Sequence, residues 1–172
     1  MASQENALLP ILEKGIDLEL LLYDLYVELS EDFPQDKDFW WSLALEEKNH
    51  AAFLKSGKEV FLPFDKFPME VLPESLEATN KIINQVKKVI GYVKDKLVSR
   101  EQVFNYAVYI EGSAGEAHYQ TAMEKVADTK VLEIFQLLNE SDKDHRKRLL
   151  AYMKENGIKV DEIMIEKLNT EK

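Results

Sequence analysis

The sequence predicts an all-α protein, built as a four-helix bundle with a long crossover that contains an extra helix. Hydrophobic residues make up 45% of the 172 residues, and only six Gly and five Pro interrupt the chain, a composition typical of helix-rich proteins. Apolar residues recur with the spacing of helices and not of strands. The turn after the first predicted helix is short, so the next helix is expected to return antiparallel to it.

The length suits a single domain over residues 1–172. Within it we expect a core bundle over about 8–156, a crossover over 62–98 and a C-terminal tail over 157–172. The absence of cysteine excludes a disulfide framework, a thiol nucleophile and a rubredoxin-type iron site in this sequence.

Charge and targeting signals narrow the expected partners and compartment. The net charge of −10 argues against nucleic acid and against anionic membranes as partners. The first residues lack the basic start and the apolar run of a signal peptide, and no apolar segment reaches membrane-spanning length. A cytoplasmic protein is therefore expected.

The first two predicted helices each carry an acid on the apolar face. In the first helix, about 8–30, this acid is Glu19. In the second, about 37–61, Glu47 and His50 lie near the centre of the face, and their spacing of three residues makes them neighbours. Burying them without a partner would be costly, so a metal ion is the favoured compensation. A hydrogen bond to a core tyrosine is the alternative for Glu19. Asp36 or Asp38 is the predicted cap of the second helix.

The predicted third helix, about 74–98, carries no inward acid or histidine, so we expect it to pack on the bundle without a chemical role. A capping box at residues 99–102 opens the fourth helix, which is predicted to run to about Val126. Glu111 lies at the middle of its apolar arc. His118 lies two turns further on, too far to bind the same ion directly, and is favoured as a core histidine or as one that supports a ligand.

The last long helix is predicted to begin after Asp128 or Thr129 and to end before Gly157. Its inward face carries Asp142 and His145, which repeat the earlier acid–histidine spacing. An acid precedes the acid-x-x-histidine pair by 28 residues in the first half and by 31 residues in the second half. This internal repeat strengthens a motif that is weak when it occurs alone.

The two halves together match a known arrangement, the carboxylate-bridged site for two metal ions. In a four-helix bundle, such a site takes one acid from each of two helices and an acid-x-x-histidine from each of the other two. The predicted ligands are Glu19, Glu47, His50, Glu111, Asp142 and His145. Mixed oxygen and nitrogen ligands suit iron or manganese better than zinc, which we expect only as a substitute.

At these residues the sequence resembles the rubrerythrin-type, ferritin-like di-iron carboxylate family, over about residues 8–156. The closest likeness is the segment 43–50, Leu-Ala-Leu-Glu-Glu-Lys-Asn-His. The resemblance implies a ferritin-like fold and a cofactor of two iron ions, or of iron and manganese. It implies terminal carboxylates at Glu19 and Glu111, bridging carboxylates at Glu47 and Asp142, and one imidazole on each metal from His50 and His145.

The resemblance also implies that the metals carry the redox chemistry, with no catalytic side chain beyond the ligands. Tyr26 resembles the tyrosine that the family places near its site, and Tyr23, Tyr26 or His118 is a candidate proton relay. The sequence differs from the family in having Asp142 in place of the usual Glu and Ala114 at the position of a further Glu. It also has no cysteine-bearing rubredoxin module, so an external electron donor is implied.

These observations favour an oxidoreductase that reduces O2 or peroxide while it oxidises Fe(II), a role in oxidative stress. The first alternative is a ferroxidase or iron-handling protein, which would need an assembly that encloses a space. The second is a non-catalytic helical bundle with a degenerate metal site. A monooxygenase or desaturase is less favoured because the chain is short. A second apolar strip, formed by Trp41, Leu45 and Ala52, predicts a homodimer.

Overall fold

The structure, a computed structural model, describes residues 4–72, 75–112, 122–138 and 145–170. Within these ranges it is helical and contains no strand, which confirms the all-α prediction. The helices are α1 (Gln4–Asp32), α2 (Lys37–Val60), α3 (Leu76–Lys94), α4 (Arg100–Glu111), α5 (Lys130–Leu138), α6 (His145–Glu155) and α7 (Glu162–Thr170). Short 3₁₀ segments span Pro34–Asp36, Leu62–Phe64 and Met69–Val71, and residues 122–124 are also helical. Among the described residues, every helix is too short or too polar to cross a membrane.

Four helices enclose the region that holds the inward acids. α1 packs along α2 and α3, while α4 packs against α3, α6 and α7. Side-chain hydrogen bonds join α1 to α4 through Tyr26 and Glu111, and α2 to α6 through Glu46 and His145. α1, α2, α4 and α6 therefore contribute to one common interior, and α3 adds apolar side chains to its first cluster.

The interior contains two separate clusters of buried apolar side chains. Along α2, Leu43 belongs to the first cluster and Leu54 to the second, and Glu47 and His50 lie between them. On α1, Glu19 lies next to Leu18 of the first cluster, two turns after Leu12 of the second cluster. The buried acids and histidines thus form a polar layer near the boundary of the two apolar clusters.

Several predicted helix ends are confirmed by their local hydrogen bonds. Before α4, the Ser99 hydroxyl accepts from the Gln102 amide, and the Gln102 side chain accepts from the Ser99 amide. Before α5, the Thr129 hydroxyl accepts from the Leu132 amide. After α6, Gly157 has φ of 66°, a conformation that glycine adopts without a steric penalty.

Other helix bounds differ from the prediction. α4 ends at Glu111, and Gly112 is its C-cap and lies in a turn; residues 113–121 of the helix predicted to run to about Val126 lie outside the described residues. α1 begins earlier than predicted, at Gln4, so Pro10 lies inside it. α3 is shorter at both ends than the predicted 74–98.

The predicted side-chain cap of α2 is wrong. Asp36 is the residue before α2, but its side chain makes no capping hydrogen bond. Its carboxylate is fully buried and accepts from the Arg100 guanidinium at 2.7 Å and 2.6 Å, and from the Tyr152 hydroxyl at 2.9 Å. This ion pair ties the turn before α2 to the start of α4 and to α6.

Candidate metal centre

The first candidate metal-binding group lies between α1 and α2. It consists of Glu19, Glu47 and His50, each of which offers a ligand atom within 4.8 Å of the others. The Nδ1 atom of His50 lies 3.2 Å from Oε2 of Glu47 and 3.7 Å from Oε2 of Glu19. All three side chains are buried, so an ion held here would be surrounded by protein.

The second group joins α2 to α4 and α6 and shares Glu47 with the first. Its members are Glu47, Glu111 and His145. The Nδ1 atom of His145 lies 2.9 Å from Oε1 of Glu47 and 3.4 Å from Oε2 of Glu111. One oxygen of Glu47 therefore faces His50 and the other faces His145, whose rings lie 5.5 Å apart. A carboxylate in this position can bridge two ions.

Unsatisfied buried atoms support a fit to metal. Glu19 Oε2, Glu47 Oε1 and His145 Nδ1 are buried and have no hydrogen-bond partner among the described residues. Even the 2.9 Å approach of Glu47 to His145 is not aligned as a hydrogen bond. Buried polar atoms without a partner are rare in folded proteins. A cation would satisfy all three, so these groups can hold a metal ion.

Burial and the neighbouring charges shift the pKa values of the two acids of the first group in opposite directions. Burial, with the added charge of Glu47, raises the pKa of Glu19 to about 8 despite its contact with His50. Burial also acts to raise the pKa of Glu47, but the facing imidazoles of His145 and His50 outweigh it and lower that pKa below its usual range. Without an ion, one acid is therefore neutral and the other is ionised at pH 7.

A further acid, Glu46, supports His145 from the outer side of the site. Its Oε2 atom lies 2.9 Å from Nε2 of His145 and also pairs with the guanidinium of Arg148. Arg148 donates a second hydrogen bond to Ser42 at 3.2 Å. Burial tends to raise the pKa of Glu46, but the hydrogen bonds from His145 and Arg148 lower it. Histidines that bind metals commonly donate their other ring N–H to such a carboxylate.

The charge around His145 is dominated by acids. Burial alone would lower the pKa of this imidazole, but the carboxylates of Glu47 and Glu111 raise it well above its ordinary value. In the metal-free protein the ring is therefore a cation that partly neutralises the layer. A metal ion would take over this role after displacing the Nδ1 proton.

The two tyrosines predicted as proton relays differ in their positions. The hydroxyl of Tyr26 donates to Oε1 of Glu111, so its proton lies directly beside the second group. Tyr23 is half-buried, and its ring lies under the ammonium group of Lys48, 5.4 Å from the ring centroid. None of the contacts among the described residues joins Tyr23 to the acids.

Five of the six predicted ligands are brought together, and the sixth, Asp142, lies outside the described residues, as does the third relay candidate, His118. No family model, curated protein or solved structure matches the chain. Glu46 and Arg148 are site residues that the sequence pattern did not predict. A signal for Arg148 was its spacing of three residues after His145, which places both on one side of α6.

Proposed function

We propose that this protein is a rubrerythrin-type di-iron oxidoreductase in a ferritin-like bundle, which reduces peroxide or O2 as Fe(II) is oxidised. The observation that carries the proposal is the position of Glu47, which belongs to two buried acid–histidine groups at once. A salt bridge with a structural role would need only one such group. A site for two metal ions needs a carboxylate that lies between the ions.

The donor set supports iron, or iron with manganese, as the metal. The described residues supply three carboxylates and two imidazoles, and Asp142 is the predicted fourth carboxylate. Oxygen-rich sites with some imidazole suit iron and manganese, while structural zinc prefers four tetrahedral nitrogen or sulfur ligands. Four carboxylates and two neutral imidazoles would also balance the charge of two divalent ions.

When bound, two ferrous ions supply the two electrons that reduce peroxide to water. The residues of the chain would bind the ions and orient the ligands. Glu19 and Glu111 would each offer a carboxylate to one ion and Glu47 would offer an oxygen to both, while Glu46 orients the ring of His145. Tyr26 holds an exchangeable proton at the hydroxyl that is bonded to Glu111. No side chain needs to act as a nucleophile.

The proposal also includes two partners. Because the chain has no cysteine, an external electron donor would re-reduce the metals. The predicted homodimer would use the outer strip of α2, where Trp41 and Leu45 are 44% and 43% exposed and Ala52 is exposed as well. Neither a membrane nor nucleic acid is part of the proposal.

The experiment is metal analysis coupled to a peroxide assay. Protein loaded anaerobically with Fe(II) should hold two ions per chain, one for each group, and should consume peroxide as its iron is oxidised. Glu19→Gln should lose one ion, whereas Glu47→Gln should weaken both sites because the shared carboxylate is neutralised. Asp24→Asn, which changes an exposed acid on α1, is the matched control and should behave as wild type.

Three results would contradict the proposal. One is no bound iron after anaerobic loading, the second is a single tightly held zinc, and the third is equal metal loss in Glu19→Gln and Asp24→Asn. The size of the assembly separates the iron-handling alternative, because a dimer cannot enclose a mineral core.

A further inference from the structure

A run of aromatic rings begins at the candidate metal centre. The hydroxyl of Tyr26 is bonded to Glu111, and the ring of Tyr26 stacks on Trp40 with centroids 5.7 Å apart and an interplanar angle of 18°. Tyr26 and Trp40 are both fully buried. An easily oxidised pair of side chains is therefore in ring contact directly beside a ligand.

The run continues from Trp40 to the protein surface by two parallel routes. The ring centroid of Trp40 lies 4.3 Å from that of Phe104 and 5.4 Å from that of Phe39. The centroid of Tyr152 lies 5.5 Å from that of Phe104 and 4.0 Å from that of Phe39. Tyr152 is half-buried on α6 and reaches the surface beside Arg100. Phenylalanine is hard to oxidise, so the two Phe rings act as the medium between Trp40 and Tyr152.

Each tyrosine of the run has a carboxylate that can take its proton. Tyr26 donates to Glu111, and Tyr152 donates to Asp36 at 2.9 Å. A tyrosine loses its hydroxyl proton when it is oxidised, so a bonded acceptor makes the one-electron step easier. In contrast, the indole nitrogen of Trp40 is buried and has no hydrogen-bond partner among the described residues. Trp40 would therefore be oxidised transiently as a cation and pass the charge on.

We propose that Tyr26, Trp40 and Tyr152 form a one-electron relay between the metal centre and the surface. The inference rests on the proposed function, because it needs a metal centre that reacts with peroxide. It extends that function by assigning the place at which electrons enter the protein. A small one-electron reductant would act at the surface where Tyr152 and Arg100 are partly exposed, above the buried carboxylate of Asp36.

When a chain holds only one ferrous ion, the relay supplies the second electron that the reduction of peroxide requires. Peroxide needs two electrons, of which Fe(II) supplies one and Tyr26 supplies the other. The balanced step is Fe(II) + Tyr–OH + H2O2 + H⁺ → Fe(III) + Tyr–O• + 2 H2O. The electron deficit then passes to Tyr152 as Tyr26 regains its hydrogen. One electron and one proton from the surface reductant restore Tyr152.

Radical trapping under single-turnover conditions tests the relay. Protein loaded with one Fe(II) per chain is mixed with peroxide, one portion is frozen for electron paramagnetic resonance, and another is treated with a nitroso spin trap and digested for mass spectrometry. Wild type should show a tyrosyl signal and a trap adduct on Tyr152. Trp40→Phe should lose the Tyr152 adduct and retain a tyrosyl signal from Tyr26. Tyr26→Phe, which removes a single oxygen atom, should lose both.

The controls separate the relay from the proposed function. Tyr92→Phe changes a half-buried tyrosine on α3 outside the run and should leave the adduct on Tyr152 unchanged. An adduct that persists in both Tyr26→Phe and Trp40→Phe at full iron content, or that forms in metal-free protein, would overturn the relay alone. Absence of bound iron or of iron-dependent peroxide consumption would overturn the proposed function, and the relay with it.

Discussion

The Nε2 atom of His145 lies 2.9 Å from a carboxylate oxygen of Glu46, and its Nδ1 atom lies 2.9 Å from an oxygen of Glu47. Two consecutive acids of α2 thus contact the two nitrogens of one imidazole on α6. Arg148 pairs with the same oxygen of Glu46 and keeps it ionised. Since Glu46 accepts the Nε2 proton, the ring can present the lone pair of Nδ1 to the interior.

Glu46→Gln should therefore weaken metal binding without abolishing it. The neutral amide is a poorer acceptor for His145 and leaves Arg148 without its carboxylate, and the loss of such an outer partner typically costs about 10–100-fold in metal affinity. Competition with a chromophoric chelator measures the affinity. Glu101→Gln, at an exposed acid on α4, is the control. Equal metal affinities of the two variants would show that Glu46 does not contribute to metal binding.

Metal binding should release protons. Burial and the charge of Glu47 raise the pKa of Glu19 to about 8, so Glu19 is protonated at pH 7 in the metal-free protein. His145 is protonated too, because Glu47 and Glu111 outweigh the effect of burial and raise its pKa. Both protons must leave before the atoms can bind an ion. Affinity should therefore rise with pH, by about tenfold per pH unit for each proton released.

Calorimetry in buffers of different ionisation enthalpy counts these protons. At pH 7, binding to wild type should release about two protons, and the slope contributed by Glu19 should flatten above pH 8. Glu19→Gln should release about one proton fewer. A count that is the same in wild type and in Glu19→Gln would show that Glu19 does not lose a proton to the metal.

Glu19→Met should stabilise the metal-free protein. Glu19 is buried and one of its oxygens has no hydrogen-bond partner among the described residues, so replacing it with an apolar side chain of similar size removes a cost of about 1–3 kcal/mol. Urea unfolding in the presence of a chelator measures the gain. Asp24→Asn should change the free energy of unfolding by less than about 0.5 kcal/mol.

With Fe(II) present the order of stability should reverse, because the ion that Glu19 helps to bind stabilises wild type by about 4.1 kcal/mol when free metal is at about a thousand times its dissociation constant, which exceeds the gain from Glu19→Met. If Glu19→Met instead destabilises the metal-free protein, then Glu19 has a structural role and the non-catalytic alternative is favoured.

The ion pair of Asp36 and Arg100 should respond asymmetrically to substitution. The side chain of Asp36 is 0% exposed, whereas that of Arg100 is 31% exposed. Arg100→Met leaves a buried carboxylate with Tyr152 as its remaining donor, which should cost about 3 kcal/mol or more. Asp36→Asn leaves a guanidinium that can reach water, so about 1 kcal/mol is expected. Urea unfolding of both variants and of the double variant gives the coupling. Equal costs would contradict this account.

Helical periodicity was sufficient to find the inward acids. Glu19, Glu47 and Glu111 are conspicuous because they interrupt apolar faces that the 3.6-residue repeat defines, and the short turn before α2 fixes an antiparallel return. The all-α class followed from the same pattern. The ferritin-like arrangement stays a prediction, as does the role of Asp142.

The partners of these acids could not be predicted in the same way. His145 meets Glu46 across 99 residues of sequence, and Tyr152 meets Asp36 across 116. Such pairs depend on how far each helix is rotated and displaced along its neighbour, which a single-helix pattern does not contain. Asp36 illustrates this limit: the pattern before α2 indicated a cap, but its strongest donor, Arg100, comes from a distant helix and takes the carboxylate instead.

The polar layer near the boundary of the two apolar clusters has a consequence for the unfolding of the protein. α1 and α2 contribute side chains to both clusters, and between their ends they carry buried polar atoms that have no hydrogen-bond partner among the described residues and that a cation would satisfy. Without that cation, each end of the helix pair has its own packing and can lose it alone. A bound cation would link the two ends, which would then unfold together. Bound ions would therefore decide whether unfolding proceeds in one step or in two.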